Sequence, residues 1–436
     1  MMFRLHPRAN AAVIAAPILL AVVGMYAASE EVSAHLDGYW ESASAQTASA
    51  VKFIAPVTAA CAAWEAGRLR RARAESWAPA RGAWQIAAGS ALPVLVLGIL
   101  ALCTTLLGVR LQLGSAPGWP DFAILAAALV IIAAHILAGF AVGLWLPAVA
   151  AVPLVLIGDY LWAVYPPALE PLWLRHLTVP VAGCCDNVFA PDTRALAASA
   201  LVAVGLAAVA LAGIAASRHM PALGRVTTGA RRRLLAVGTV ALALCVGGGI
   251  ALVDRLGADA VHKREAKELV CDRLGAGPRV CVWPEHRGRL SEATRTLTQA
   301  ASQLHAYGIP APKTISEQDA PATKDRWQIT VRRTPDFTQQ DLLAGLAANL
   351  AQALPHLSAH PTAPSCASDP AAVDSAIAAY QQLEVWLAVR AGIDADQAPP
   401  RYSPDAWAAV QTQITQTSQS QTVWYEATLS KARCAW

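Results

Sequence analysis

The chain has 436 residues, 55% hydrophobic and 15% charged, with 34 Lys/Arg against 30 Asp/Glu and a formal net charge of +4. Soluble globular proteins carry about 25% charged residues, so a single water-coated domain, a disordered chain and a collagen are all excluded. The 16 basic and 11 acidic residues of 1–253, set against 18 and 19 in 254–436, indicate a membrane part followed by a soluble part, and give no support for a nucleic-acid partner.

A helix needs roughly 20 mostly apolar residues to cross the hydrocarbon core. Six segments meet this directly, at about 11–28, 87–109, 122–143, 147–165, 195–216 and 234–253. A seventh, about 45–64, is weaker because it contains Thr47, Ser49, Lys52 and Thr58. Counting it as a span gives the charge pattern its order. With the N-terminus cytoplasmic, the inner pieces hold Arg4, Arg8, Arg68, Arg70, Arg71, Arg73, Arg81, Arg218, Arg225 and Arg231 to Arg233, against Glu65 and Glu75. The outer loops hold Arg110, Arg175 and Arg194 against eight acids. This is the positive-inside bias, and seven crossings put residues 254–436 outside the cytoplasm. The first segment reads as an uncleaved anchor, because Met25-Tyr26-Ala27-Ala28 lacks a small residue at the cleavage spacing.

The first two spans are followed by an Arg-rich stretch, residues 65–86, with Trp64, Trp77 and Trp84 beside it. Its helical part is expected to lie along the cytoplasmic interface. Two readings compete: plain topogenic charge, and a docking surface carried by Arg68, Arg70, Arg71 and Arg73. Ionisable groups inside spans are costly and therefore informative. Lys52 and Asp159 fall at matching depths, so they either pair across two helices or reach separately towards water. His135 in the fourth span is either a packed histidine or part of a relay. Gly139 with Gly143, and Gly247-Gly248-Gly249, predict close helix approach.

The cysteines sort by the same topology. Cys61, Cys103 and Cys245 lie in spans, and Cys184, Cys185, Cys271, Cys281, Cys366 and Cys434 lie outside. Disulfides are expected for the outer set, with Cys271–Cys281 and Cys366–Cys434 as the pairs, while adjacent Cys184 and Cys185 are too close for an easy bridge. No CxxC occurs, so no metal site is expected.

Residues 254–436 read as a mostly helical α+β extracytoplasmic domain. Residues 254–270 are expected to continue the last span as a helix. Val280 to Trp283 and the alternation Trp327, Ile329, Val331 predict two paired strands. Helices are expected at 288–306, 337–354, 370–391, 404–416 and 421–433, with Trp386, Trp407 and Trp424 as core anchors. His286 beside Glu285 is the one suggestive outer pair, and neighbours in sequence point apart. The chain has no G-x-x-x-x-G-K-[ST], no H-E-x-x-H and no G-x-S-x-G, so no catalytic residue and no cofactor is implied.

These features together resemble the permease subunits of type-2 ABC exporters, particularly actinobacterial membrane proteins of that kind. The resemblance rests on a cytoplasmic N-terminus, the basic segment after the second span, the tight hairpin Gly143-Leu144-Trp145-Leu146-Pro147 and the outer loop between the fifth and sixth spans. It covers about residues 1–216; the seventh span and the large outer domain depart from it. It implies an export permease without its own ATPase, working with a cytoplasmic ATP-binding subunit, in the lipid bilayer, paired with an identical or different permease. The alternative is a membrane-anchored receptor or immunity protein whose outer domain binds a ligand without transport.

Overall fold

The computed structural model describes residues 10–33, 36, 38–72, 83–114, 116–179, 184–217, 227–318, 322–332, 337–357, 370–396 and 401–433. The chain divides into two compact units, Met1–His262 and Lys263–Trp436.

The first unit is a helical bundle: α1 (Ala11–Ala27), α2 (Trp40–Ser49), α3 (Val51–Ala72), α4 (Ala83–Leu113), α5 (Phe122–Trp145), α6 (Ala148–Val164), α7 (Thr193–Ala215) and α8 (Thr228–Val253). Among the described residues, six stretches are long and apolar enough to cross a membrane: Trp40–Ala72, Gln85–Leu113, Phe122–Trp145, Ala148–Ala168, Thr193–Ala215 and Thr228–Val253. Helix α1 is apolar but has 17 residues, at the short end of the spanning range. Short polar side chains start several of these helices by accepting their first free N–H groups: Asn10 for α1, Asp121 for α5, Asp192 for α7 and Thr227 for α8. Large apolar side chains such as Ile18 on α1, Val149 on α6 and Leu244 on α8 are exposed, as a lipid-facing surface requires.

Helix α3 is the hub. It packs against α1, α4, α5 and α6, and its buried residues run from Val51 to Gly67. This explains why its stretch is the least apolar of the six: it faces protein rather than lipid, so small and polar residues are tolerated. Ser44 and Thr47 on α2 and Thr58 on α3 are fully buried. Their hydroxyls donate to the carbonyls of Trp40, Ala43 and Ile54 at 2.8 Å, so they need no outside partner. The α3–α5 crossing is very close. A Cβ on Gly139 would stand 2.1 Å from the Ala59 carbonyl oxygen, and one on Gly143 would stand 2.2 Å from that of Ala63. In the glycine run of α8, a Cβ on Gly249 would meet Val202 and the Ala198 carbonyl, whereas one on Gly247 would meet nothing within 4 Å.

The helical continuation expected over 254–270 does not form, because α8 ends at Val253. The carbonyls beyond it are taken by other parts of the first unit. Arg175 donates to Ala258 at 3.2 Å, His176 meets the Gly257 carbonyl at 2.9 Å, and the Asp192 N–H donates to Ala260 at 2.8 Å. The boundary between units therefore falls after His262, later than the expected Val253.

The second unit holds four short strands, β1 (Val270–Arg273), β2 (Arg279–Val282), β3 (Thr314–Ser316) and β4 (Arg326–Gln328), and helices α9 (Leu290–His305), α10 (Gln339–Leu357), α11 (Pro370–Ala391), α12 (Pro404–Ile414) and α13 (Ser418–Ala432). The sheet order is β1-β2-β3-β4, with β1–β2 antiparallel and the other two pairs parallel. Trp327 is thus two strands away from Val280 rather than in its direct partner; β3 lies between them. Helix α9 makes the crossover from β2 to β3 and buries Leu290, Ala293, Leu297, Ala301 and Leu304, the face its spacing predicts. Gly308 turns the chain out of that helix with φ +84°. Val280, Ile315 and Trp327 point into a core with Leu346, Leu383 and Trp386. Trp386 stacks on Tyr425 with ring centroids 5.2 Å apart, and Trp407 and Trp424 pack on the same core.

Candidate functional site

The most unusual chemistry in the first unit is an acid and an imidazole inside the bundle. His135 lies ten residues before the end of α5, and Asp159 lies eleven after the start of α6. At 1.5 Å per residue both stand about 15–17 Å from the α5–α6 hairpin, half of a ~30 Å hydrocarbon core. The antiparallel hairpin brings them together: His135 Nδ1 is 3.0 Å from Asp159 Oδ2, although not aligned as a hydrogen bond. Lys52, which matched Asp159 in depth, is not its partner. Its ammonium sits over the rings of Tyr26 and Phe53, 4.9 and 5.2 Å from their centroids, a cation–π arrangement that spares it a carboxylate.

The pair opens on a cavity of about 300 Å³ whose lining includes Trp162, Thr178 and Ser199, with aliphatic side chains of α7 and α8. Both hydroxyls already donate, Thr178 to the Arg175 carbonyl at 3.1 Å and Ser199 to that of Leu196 at 3.0 Å. Each oxygen keeps its acceptor capacity. An acid, a protonatable ring and two acceptors in an apolar chamber can hold a proton or a small cation. Sequence spacing could not find the pairing of His135 with Asp159, which depends on the hairpin register.

The Arg-rich segment differs from its expected form. Helix α3 runs unbroken to Ala72, so residues 65–72 prolong the central helix instead of forming a separate interfacial one. Glu65 is buried, accepts the N–H of Ala11 at 2.8 Å, and takes the Arg68 guanidinium at 3.1 Å on both oxygens. Glu65 thus ties the end of α3 to the start of α1, and Arg68 neutralises it there. Arg71 is exposed and lies over the Trp64 ring at 5.5 Å, and Arg70 is half-buried. Arg73 lies outside the described residues.

In the second unit, Glu285 and His286 do point apart. Glu285 pairs with Arg264 at 3.2 Å, and that guanidinium also lies 4.3 Å over Trp283. His286 meets Glu317, a residue that sequence reading missed because its partners lie 14 to 34 positions away in the chain. Cys271 and Cys281 are cross-strand neighbours in β1 and β2 and are joined as a disulfide. Cys184 and Cys185, adjacent and expected to be too close for an easy bridge, are both buried and joined by a cis peptide. Cys366 and Cys434 lie outside the described residues.

Residues 280–434 match a family described as a domain of unknown function (DUF7224). The match covers most of the second unit and none of the bundle. No curated protein and no solved structure matches the chain.

Proposed function

We propose that this chain is the permease-like, membrane-spanning subunit of an ABC transporter, operating in export and energised by a separate ATP-binding subunit. The carrying observation is that one helix, α3, is both the hub of the bundle and the bearer of Arg70 and Arg71 at its end. A push or pull on that end by a partner is transmitted along a continuous helix to α1, α4, α5 and α6. In this reading α1 is a seventh span, the N-terminus is cytoplasmic and the second unit is extracytoplasmic, in keeping with the charge bias of the loops. Reporter fusions after Thr227 and after Asp336 then read cytoplasmic and external.

Arg70 and Arg71 present forked donors suited to carboxylates, so the partner's surface is acidic. Replacing both with Glu abolishes copurification of the ATP-binding subunit while insertion survives; replacing both with Lys weakens it less. Arg232 and Arg233 serve as the control pair, since Arg231 is held over Trp145 at 4.3 Å. If the Glu variants insert and still copurify the subunit at wild-type yield, the coupling role fails. The reading then favoured is a membrane-anchored receptor, which the separate core of the second unit supports.

A further inference from the structure

Directly opposed residues in a sheet share a face. The register therefore sets Arg273, Arg279, Thr314 and Arg326 in one row across β1 to β4, with Cys271, Cys281, Ser316 and Gln328 in another row on the same side. Val280, Ile315 and Trp327 occupy the opposite face, which the helices cover. The arginine-bearing face carries a groove of about 530 Å³, whose lining includes Lys267, Arg279, Lys313, Thr314, Ser316 and Arg326. Asp325, the acid of that lining, is held by Lys313 at 3.2 Å, and Lys267 pairs with Glu265 outside it; four cations against one acid leave the described lining net cationic. Arg279 is exposed and has no ion-pair partner among the described residues. Ser316 is 2% exposed, and its hydroxyl has no hydrogen-bond partner among the described residues.

Arg279 and Arg326 flank Thr314, two strand spacings or about 10 Å apart at their Cα atoms. Their guanidinium groups can converge on one ligand above the Thr314 hydroxyl. A carboxylate carries one charge and is satisfied by a single fork. A phosphoryl group carries a charge of about −1.5 to −2 and three acceptor oxygens, which matches two forks and two hydroxyls. We propose that this groove binds a phosphoryl group, presented by a free phosphate, a phosphate polymer or a lipid headgroup. The proposal is independent of the transport reading.

The test uses the full chain in detergent, titrated with inorganic phosphate, inorganic polyphosphate and dioctanoyl phosphatidate, with poly-glutamate as the carboxylate control. At least one phosphoryl probe binds about tenfold or more tighter than poly-glutamate, and the tightest identifies the source. The variant R279Q weakens that binding about tenfold, R279Q/R326Q abolishes it, and R279K retains part of it. Melting temperature reports folding, and exposed Arg279 keeps the single variant readable if the double one does not fold. The proposal is overturned if the wild type binds no phosphoryl probe, if poly-glutamate binds as tightly, or if R279Q binds like the wild type.

Discussion

The carboxylate of Glu317 lies 2.9 Å from His286 Nδ1 and accepts the backbone N–H groups of Trp283 and Val331 at 2.8 and 2.9 Å. Glu317 is 3% exposed and His286 1%, so the group ties the end of β2 to the chain beyond β4 from inside the core. Glu317→Ala strands two N–H donors and the imidazole, and is expected to cost roughly 3–5 kcal/mol. Glu317→Gln keeps acceptor capacity and costs less. Thermal unfolding of the purified chain measures both; a Glu317→Ala transition at the wild-type temperature shows that the carboxylate holds nothing.

The α3–α5 crossing leaves no room for side chains at Gly139 and Gly143. Gly143→Leu is expected to force the helices apart, costing at least the ~1–3 kcal/mol typical of overpacking and lowering the yield of monodisperse protein. Gly158→Ala on α6, where a Cβ meets nothing within 4 Å, is the control and should be silent. Equal stability of the two variants contradicts the close crossing.

Burial pushes the His176 imidazole below its ordinary range, so the folded chain holds it neutral against the Gly257 carbonyl. Its folded pKa lies below the unfolded value of about 6.5, so its contribution is complete above that pH and is lost as pH falls further. Amide protection across residues 255–260, corrected for intrinsic exchange, should hold steady from pH 8 to 7 and decline below about 6.5. His176→Gln should flatten that profile; an unchanged pH dependence in the variant assigns it to another group.

The Cys271–Cys281 link closes a loop with a sequence separation of 10, worth about 3 kcal/mol by chain entropy. Replacing both residues with Ser should lower the second unit's stability by about that amount. Peptide mapping without reductant should recover the two as one linked peptide; recovery as free thiols rules the link out.

Much of the architecture was legible because its signals are local. The long apolar runs, the face of α9 and the break between α12 and α13 all follow from composition and spacing within a few turns. The stretch that starts at Trp40 begins earlier than the segment expected at 45–64, since Ser42 and Ser44 read as loop; the Ser44 hydroxyl is bonded within the helix, to the Trp40 carbonyl. Strands β1 and β3 are as short as β2 and β4, but Val270-Cys271-Asp272-Arg273 and Thr314-Ile315-Ser316 carry no apolar alternation to reveal them. The partners of Asp159 and Glu317 depend on tertiary register, which sequence spacing does not encode. Arg68 looked like surface charge because its acidic partner, Glu65, gives no sign in the sequence of being buried.

The low apolar content of the hub helix also bears on biogenesis. Alone in a bilayer, α2 and α3 would present Ser42, Glu65 and Lys52 to hydrocarbon, so this segment partitions poorly by itself. Its residence there is conditional on neighbours: Tyr26 and the Ala11 N–H come from α1, and the carbonyls of Ala59 and Ala63 are shielded by α5. The α2–α3 segment is therefore expected to leave the translocon late, retained until α5 has been synthesised and can accompany it into lipid.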